Sequence, residues 1–279
     1  ARSRPAMSYS RMSRAGFGRN SWGSSLFSAL GVAAANSARR GTEWVGGGSG
    51  KKQVLDPASG GLRSASEDGS PFKDRFVLID ISGLAHRAAK QQPVTVAREG
   101  VSVQQQQYVR RYLESVVGEG GRPVVVLDGK AYPPKAATRA THRADQAQAR
   151  ASAEEAEAKQ DARKAASEWK KAAVPQEPFW HWLLEELIGM KVPFIYSPYE
   201  ADAQLVALQQ ELGEQAVIWA ASEDSDLVAF GGAEVIYNWD INARTYRRVR
   251  LLDDVLRQRP VGSKYSFLGW PYDRFLVFT

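Results

Sequence analysis

The sequence Tyr199-Glu200-Ala201-Asp202-Ala203-Gln204 follows the apolar stretch 192–197, and Glu223-Asp224-Ser225-Asp226 follows a second one at 216–222. In each, two carboxylates stand two residues apart after a run that we predict to be a buried β-strand. Carboxylates crowded at the end of an apolar strand repel one another and lose hydration, so a stable fold needs a neutralising charge there. Hard oxygen ligands of this kind suit Mg²⁺ or Mn²⁺.

The same pattern of an apolar strand followed by an acid occurs twice earlier, at Phe76–Ser82 with Asp80 and at Arg122–Gly129 with Asp128. Strands that alternate with helices predict an α/β fold with a mostly parallel sheet, whose ligands bind beyond the carboxyl ends of the strands. Taken singly, each acid is also explained as a helix N-cap. Taken together, they predict a pocket that holds two ions about 3.5–4 Å apart. The six predicted metal ligands are Asp80, Asp128, Glu200, Asp202, Asp224 and Asp226.

Composition excludes several classes of protein. The 279 residues contain no cysteine and three histidines, which excludes disulfides and thiolate zinc sites. No apolar run reaches the length of a membrane span, so we expect no membrane partner. The length allows one large domain or two small ones.

The positive charge is concentrated near the start of the chain. Residues 1–75 hold 12 Lys/Arg against 5 Asp/Glu, and no acid precedes Glu43. We interpret residues 1–70 as a basic Ser/Gly/Arg-rich leader and linker, in which residues 1–42 have the composition of a mitochondrial or plastid transit peptide. A mitochondrial location is predicted, with the nucleus as an alternative. The leader either binds nucleic-acid phosphates or is a solvated disordered segment; its candidate contacts are Arg11, Arg14, Arg19, Arg39 and Arg40.

The compact domain is predicted to span residues 71–279, with a distinct segment at 134–174. This segment has high helix propensity but almost no large apolar residue before Trp169. Because it has no obvious buried face, we expect a long helical arch that projects from the body. Arg139 and Arg143 are its candidate nucleic-acid contacts, although the acids nearby also fit an exposed helix face stabilised by ion pairs.

Four blocks resemble the flap endonuclease/XPG-type 5′ nucleases, which have a PIN-like fold: VLIDISGLAHR, VVVLDGKAYPPK, SPYEADAQLVAL and SEDSDLVAFG. The resemblance implies divalent-metal hydrolysis of DNA or RNA, with the six acids as metal ligands. It also implies that Lys135 contacts the scissile phosphate, although a solvated surface lysine is the simpler interpretation. The segment 134–174 would match the helical arch through which a free 5′ strand passes.

The chain departs from the family pattern in three places. The nearest likeness to the family's N-terminal Met-Gly, at Trp22-Gly23, lies behind 21 residues. His142 stands where the arch arginine is expected, and Arg143 follows it one position later, which turns the side chain by about 100° on a helix. The family's last metal acid and its helix-hairpin DNA-binding motif are absent from the sequence up to Thr279.

Two functions fit this sequence. The first is a structure-specific, metal-dependent 5′ nuclease-like domain, for which Asp224→Ala is predicted to abolish cleavage. The second is a nuclease-derived, inactive RNA-binding subunit of an organellar ribonucleoprotein such as a mitochondrial ribosome. The basic leader and the altered arch motivate the second.

Overall fold

The computed structural model describes residues 62–221, 226–257, 267–273 and 275. Residues 1–61 of the predicted leader and linker, with all of its candidate contacts, lie outside the described residues, and so does Asp224. The strands are β1 (Leu62–Ser64), β2 (Phe76–Asp80), β3 (Arg122–Leu127), β4 (Phe194–Tyr196), β5 (Ala216–Ala220), β6 (Glu234–Asp240) and β7 (Thr245–Arg250). The α-helices are α1 (Ala65–Asp68), α2 (Ile81–Ala89), α3 (Pro93–Glu99), α4 (Val103–Gly118), α5 (Ala136–Ala158), α6 (Ala162–Ala172), α7 (Glu177–Gly189), α8 (Ala201–Leu212) and α9 (Asp226–Ala229).

One seven-stranded sheet organises these elements in the order β1-β7-β6-β5-β2-β3-β4. The five strands from β6 to β4 pair in parallel, while β7 pairs antiparallel with both β6 and β1. The central strand β2 has β3 on one side and β5 on the other. After β2 the chain adds β3 and β4 on one side of it, and then β5 and β6 on the other side. In open α/β sheets, such a reversal opens a crevice at the carboxyl ends of the strands. The fold is the α/β architecture with a mostly parallel sheet that the sequence predicted.

Apolar residues on both faces of the strands explain why the sheet is covered on both sides. The first four residues of β2 are buried, as expected of a parallel strand between two helical layers. Leu78 belongs to the core that includes Leu205 of α8, and Ile79 belongs to the core that includes Leu84 of α2 and Leu113 of α4. The two sides of one strand thus hold both helical layers in place.

The predicted arch differs from the expected single projecting helix without a buried face. It is a hairpin of α5 and α6, and its buried surface is a row of alanines on α5, Ala149, Ala153 and Ala156, packed with Trp169 of α6. These alanines recur at helical spacing, which brings them to one side of α5. The part of α5 before Ala149 is mostly exposed, so only this N-terminal half stands clear of the body.

The hairpin is also fastened to α3, a helix that the sequence did not predict. The side chain of Arg98 pairs with Glu157 at 2.6 Å and lies over the Trp169 ring, 4.8 Å from its centroid. The Trp169 indole N–H donates to Glu157 at 2.9 Å, and Arg150 donates to the backbone oxygen of Ala97 at 3.2 Å. Through these contacts the body sets the position of the arch.

The structure also moves the start of the domain. Leu62–Ser64 pairs with β7, so the folded domain begins before Pro71, where the sequence placed its boundary, and residues 62–70 are not linker. A three-residue strand is too short to show a period of two, and neither β1 nor β7 was predicted.

Within the described part of the chain, no helix combines the length and the hydropathy needed to cross a membrane.

Candidate active site

A cleft of about 410 Å³ lies at the carboxyl ends of β2, β3 and β4. Each of these strands is followed by an acid that borders the cleft, because parallel strands all end at the same edge of the sheet. The lining residues are Asp80, Ser82, Asp128, Gly129, Lys130, Ala131, Tyr132, Lys135, Arg139, Tyr199, Glu200, Ala201 and Asp202. Four of the six predicted ligands therefore line one cleft.

Ser82 joins Asp80 and Asp128 through its backbone N–H and its hydroxyl group. The Ser82 backbone N–H donates to Asp80 Oδ1 at 3.0 Å, and its Oγ donates to Asp128 Oδ2 at 2.7 Å. Asp128 Oδ1 accepts from the backbone N–H of Ala201 at 2.8 Å, at the start of α8. Both acids thus act as helix caps while they border the cleft. A carboxylate has about four acceptor positions, so capping does not exhaust it.

Glu200 and Lys135 form an ion pair across the cleft. Lys135 Nζ lies 2.8 Å from both carboxylate oxygens of Glu200. Partial burial, the largest single influence, lowers the pKa of Lys135, but the hydrogen bond and charge of Glu200 and the charges of Asp202 and Asp226 together raise that pKa above its ordinary value. The amine therefore stays protonated at neutral pH.

The other two predicted acids belong to the second acidic stretch. Asp226 begins α9 and is exposed, and its charge acts on Lys135. Asp224 is outside the described residues, so its predicted role stays a prediction.

The predicted arginines of the arch occupy different places. Arg139 lines the cleft, and its Nη2 donates to the backbone oxygen of Tyr132 at 2.7 Å. Arg143, one turn further along α5, is exposed and is not among the lining residues.

Sequence reasoning missed Ser82 and the two tyrosines of the cleft, Tyr132 and Tyr199. The signal for Ser82 was its place two residues after an acid at a helix start, a spacing typical of a capped N-terminus. The tyrosines gave no pattern, because a single aromatic residue beside an acid is common in any chain.

The donors at this cleft fit Mg²⁺ or Mn²⁺ in their chemistry. Its acidic lining offers carboxylate oxygens, and neither histidine nor cysteine lines it. Among the described residues, however, no three His, Cys, Asp or Glu side chains lie close enough together to hold one ion. Asp80 and Asp128 accept backbone hydrogen bonds at the starts of α2 and α8, and Glu200 pairs with Lys135. A complete ligand set would thus need rearrangement of these contacts or the acids of the undescribed segment 222–225.

Sequence comparison shows which proteins this chain resembles. Residues 191–261 match the XPG I-region model, a stretch that includes Glu200, Asp202 and the second acidic stretch. Exonuclease 1 of Drosophila melanogaster is 30% identical over 136 residues, which cover 49% of this chain and 18% of that protein. By these matches the chain resembles the XPG-type nucleases.

Other XPG-type relatives agree with this resemblance. Exonuclease 1 of Danio rerio is 28% identical over 170 residues, covering 61% of this chain and 21% of the relative. The chain thus spans about a fifth of the length of the curated relatives that it matches.

Solved structures of the XPG type show limited similarity. The catalytic core of Rad2 in complex with DNA substrate has a TM-score of 0.42 and 17% identity, covering 79% of this chain and 64% of that one. The Holliday junction-resolving enzyme GEN1, in complex with product DNA, Mg²⁺ and Mn²⁺, has a TM-score of 0.39 and 17% identity, covering 73% and 41%. The resemblance to XPG-type nucleases rests on the sequence matches.

Proposed function

We propose that this XPG-type domain hydrolyses phosphodiester bonds of nucleic acid at the carboxylate cleft, with DNA or RNA carrying a free single-stranded 5′ end as substrate. The observation that supports it is the presence of four carboxylates and one protonated lysine around a single cleft at the carboxyl ends of parallel strands. A set of charges of both signs suits a reaction that develops negative charge on a phosphate.

The acids Asp80, Asp128, Glu200 and Asp202, with Asp224 and Asp226, would hold two divalent cations. When bound, these cations supply positive charge that activates water and stabilises the phosphate in the transition state. The Ser82 hydroxyl group keeps the Asp128 carboxylate oriented toward the cleft, and the start of α8 holds the other oxygen of the same carboxylate. Such fixed orientation limits the reorganisation needed during reaction.

Lys135 binds the scissile phosphate in this proposal. In the structure its charge is neutralised by Glu200. With substrate bound, Lys135 would exchange Glu200 for a phosphate oxygen, and the released Glu200 carboxylate would be available to help hold a cation. Before substrate binds, the opposite charges of Lys135 and Glu200 neutralise each other.

The α5–α6 hairpin positions the strand. Its N-terminal half begins directly after Lys135 and carries Arg139 at the cleft and Arg143 on its exposed part. The positive side chains of Arg139 and Arg143 attract the phosphates of a strand that approaches from the α5 side.

The ribonucleoprotein alternative drew on the basic leader, of which residues 1–61 are outside the described part of the chain. No feature of the described residues favours it over hydrolysis.

The first test is metal dependence. Purified protein incubated with 5′-flap DNA, single-stranded DNA or RNA is expected to cleave one of them with Mg²⁺ or Mn²⁺, and EDTA is expected to abolish cleavage because the carboxylates lose their counter-ions. Product length on denaturing gels and circular dichroism in EDTA distinguish loss of chemistry from loss of fold. Undiminished cleavage in EDTA, or no cleavage with either metal, contradicts the proposal.

A second prediction concerns Lys135. Lys135→Met is expected to lower the single-turnover cleavage rate about a hundredfold, because one preorganised positive charge at the phosphate is lost. Lys135→Arg should retain part of the rate. Lys159→Met is the matched control, since Lys159 also pairs with a glutamate, Glu155, but on the exposed surface of α5. A similar rate loss in both methionine variants would remove Lys135 from the mechanism.

A further inference from the structure

Two tyrosine rings stand together at the lip of the carboxylate cleft. Tyr132 lies in the loop after β3, and Tyr199 lies in the loop after β4, directly before Glu200. Their ring centroids are 5.7 Å apart with an interplanar angle of 70°, and both residues line the cleft. The aromatic pair is therefore next to the groups that we assign to the phosphate.

The two loops that carry this pair are held firmly to each other. Gly129 N–H donates to the backbone oxygen of Tyr199 at 2.6 Å, and Lys130 N–H donates to that of Pro198 at 3.1 Å. The backbones approach so closely at Gly129 that a β-carbon there would stand 1.8 Å from the Ser197 backbone oxygen. Only glycine permits this approach.

The Tyr132 side of the pair has two further restraints. Two prolines follow it and open the short 3₁₀-helix Pro133–Lys135, which fixes the backbone there. Arg139 on α5 donates to the Tyr132 backbone oxygen at 2.7 Å. The pair is thus preorganised, so a ligand that binds to it would cost little conformational entropy in the protein.

The exposure of the pair needs an explanation. Tyr199 is 46% exposed, and neither Tyr132 nor Tyr199 belongs to an apolar core. In an edge-to-face arrangement the ring that presents its edge keeps its own faces uncovered by its partner. An aromatic face that the partner ring leaves uncovered, close to Lys135 and Arg139 in the same cleft, suits a planar ligand that carries a phosphate.

We propose that Tyr132 and Tyr199 form a stacking site for one nucleobase of the strand whose phosphate enters the carboxylate cleft. This proposal rests on the proposed function, because it takes the same nucleic acid as ligand, and it adds how a single-stranded nucleotide is held. Stacking on aromatic side chains tolerates any base sequence, since every base has a π-face. The site therefore recognises an unpaired nucleotide by its shape and not by its sequence.

The test measures binding and stacking without cleavage. Full-length protein in EDTA is titrated into single-stranded DNA that carries 2-aminopurine, whose fluorescence is quenched when the base stacks. Tyr132→Ala and Tyr199→Ala are each expected to raise Kd about tenfold and to remove the protein-dependent quenching. The phenylalanine variants at both positions should retain the wild-type quenching, because they keep the ring.

Tyr196→Ala is the matched control. Tyr196 is a tyrosine of similar exposure, 43%, three residues before Tyr199, and it does not line the cleft. An abasic site at the quenched position should remove the difference in Kd between wild type and the two alanine variants, which a purely structural role of the rings would leave unchanged. Thermal unfolding of each variant verifies the fold.

The proposal is overturned if the alanine variants bind and quench as wild type does, or if Tyr196→Ala loses as much as they do. Its failure is distinguishable from failure of the nuclease. Quenching that depends on the tyrosines, in a protein that never cleaves, supports the stacking site alone. Metal-dependent cleavage without such quenching supports the nuclease alone.

Discussion

Asp128→Asn is expected to lower the cleavage rate by about a hundredfold to a thousandfold while leaving the stability of the domain nearly unchanged. The substitution removes one negative charge from the cleft and so weakens the cations that the reaction needs. Asparagine keeps an oxygen that accepts from Ala201 N–H, and its amide group can donate to the Ser82 hydroxyl oxygen. The Ala201 N–H at the start of α8 should therefore keep its acceptor.

The decisive measurement is the single-turnover rate at saturating Mg²⁺, together with the urea midpoint of unfolding. Asp161→Asn is the matched control, because Asp161 Oδ1 caps α6 by accepting from Lys164 N–H at 3.0 Å and does not line the cleft. The control should cleave at the wild-type rate. If Asp128→Asn cleaves within about twofold of wild type, this carboxylate is a helix cap and nothing more.

Trp169→Ala is expected to reduce the free energy of unfolding by about 3–5 kcal/mol, the cost of emptying a tryptophan site in a packed interior. Trp169 is 1% exposed and fills the space between the alanines of α5 and the Arg98 side chain. Its loss also leaves Glu157 without the indole donor. The hairpin should therefore loosen before the sheet does.

Urea unfolding gives the free energy, and hydrogen exchange shows where protection is lost. We expect faster exchange within residues 149–172 and unchanged protection in β2 and β5. Because α5 carries Arg139 to the cleft, KM for a single-stranded substrate should rise as well. Trp169→Phe, which keeps most of the volume but not the N–H group, should lose less than the alanine variant. Equal loss of protection in hairpin and sheet would show that the arch is not a separate unit.

The sheet and its acids were predictable because both depend on local pattern. Four apolar residues followed by Asp80 are enough to predict a buried strand with an acid at its carboxyl end. Parallel pairing then brings the ends of β2, β3 and β4 to the same edge. That Asp80, Asp128 and Glu200 share a cleft can therefore be predicted without knowing which contacts their side chains make.

The buried face of the arch was not predictable. Alanine occurs all around α5, so a hydropathy pattern cannot tell Ala149, Ala153 and Ala156 from the exposed alanines beside them. Their burial depends on Trp169, which α6 brings back against α5 after the turn between them. A small side chain becomes part of a core only when a large one is packed on it.

The amino-acid sequence by itself determined the α/β class, the acids at the strand ends and the resemblance to XPG-type nucleases, because these follow from the period of apolar residues and from short contiguous blocks. The tertiary structure alone decided which partner each group has: Ser82 between two aspartates, Glu200 on Lys135, Tyr132 against Tyr199. Except for Ser82 and Asp80, those partners are far apart in the chain. A hydrogen bond, an ion pair or a ring contact between them forms only where folding brings the two side chains within a few ångströms of each other.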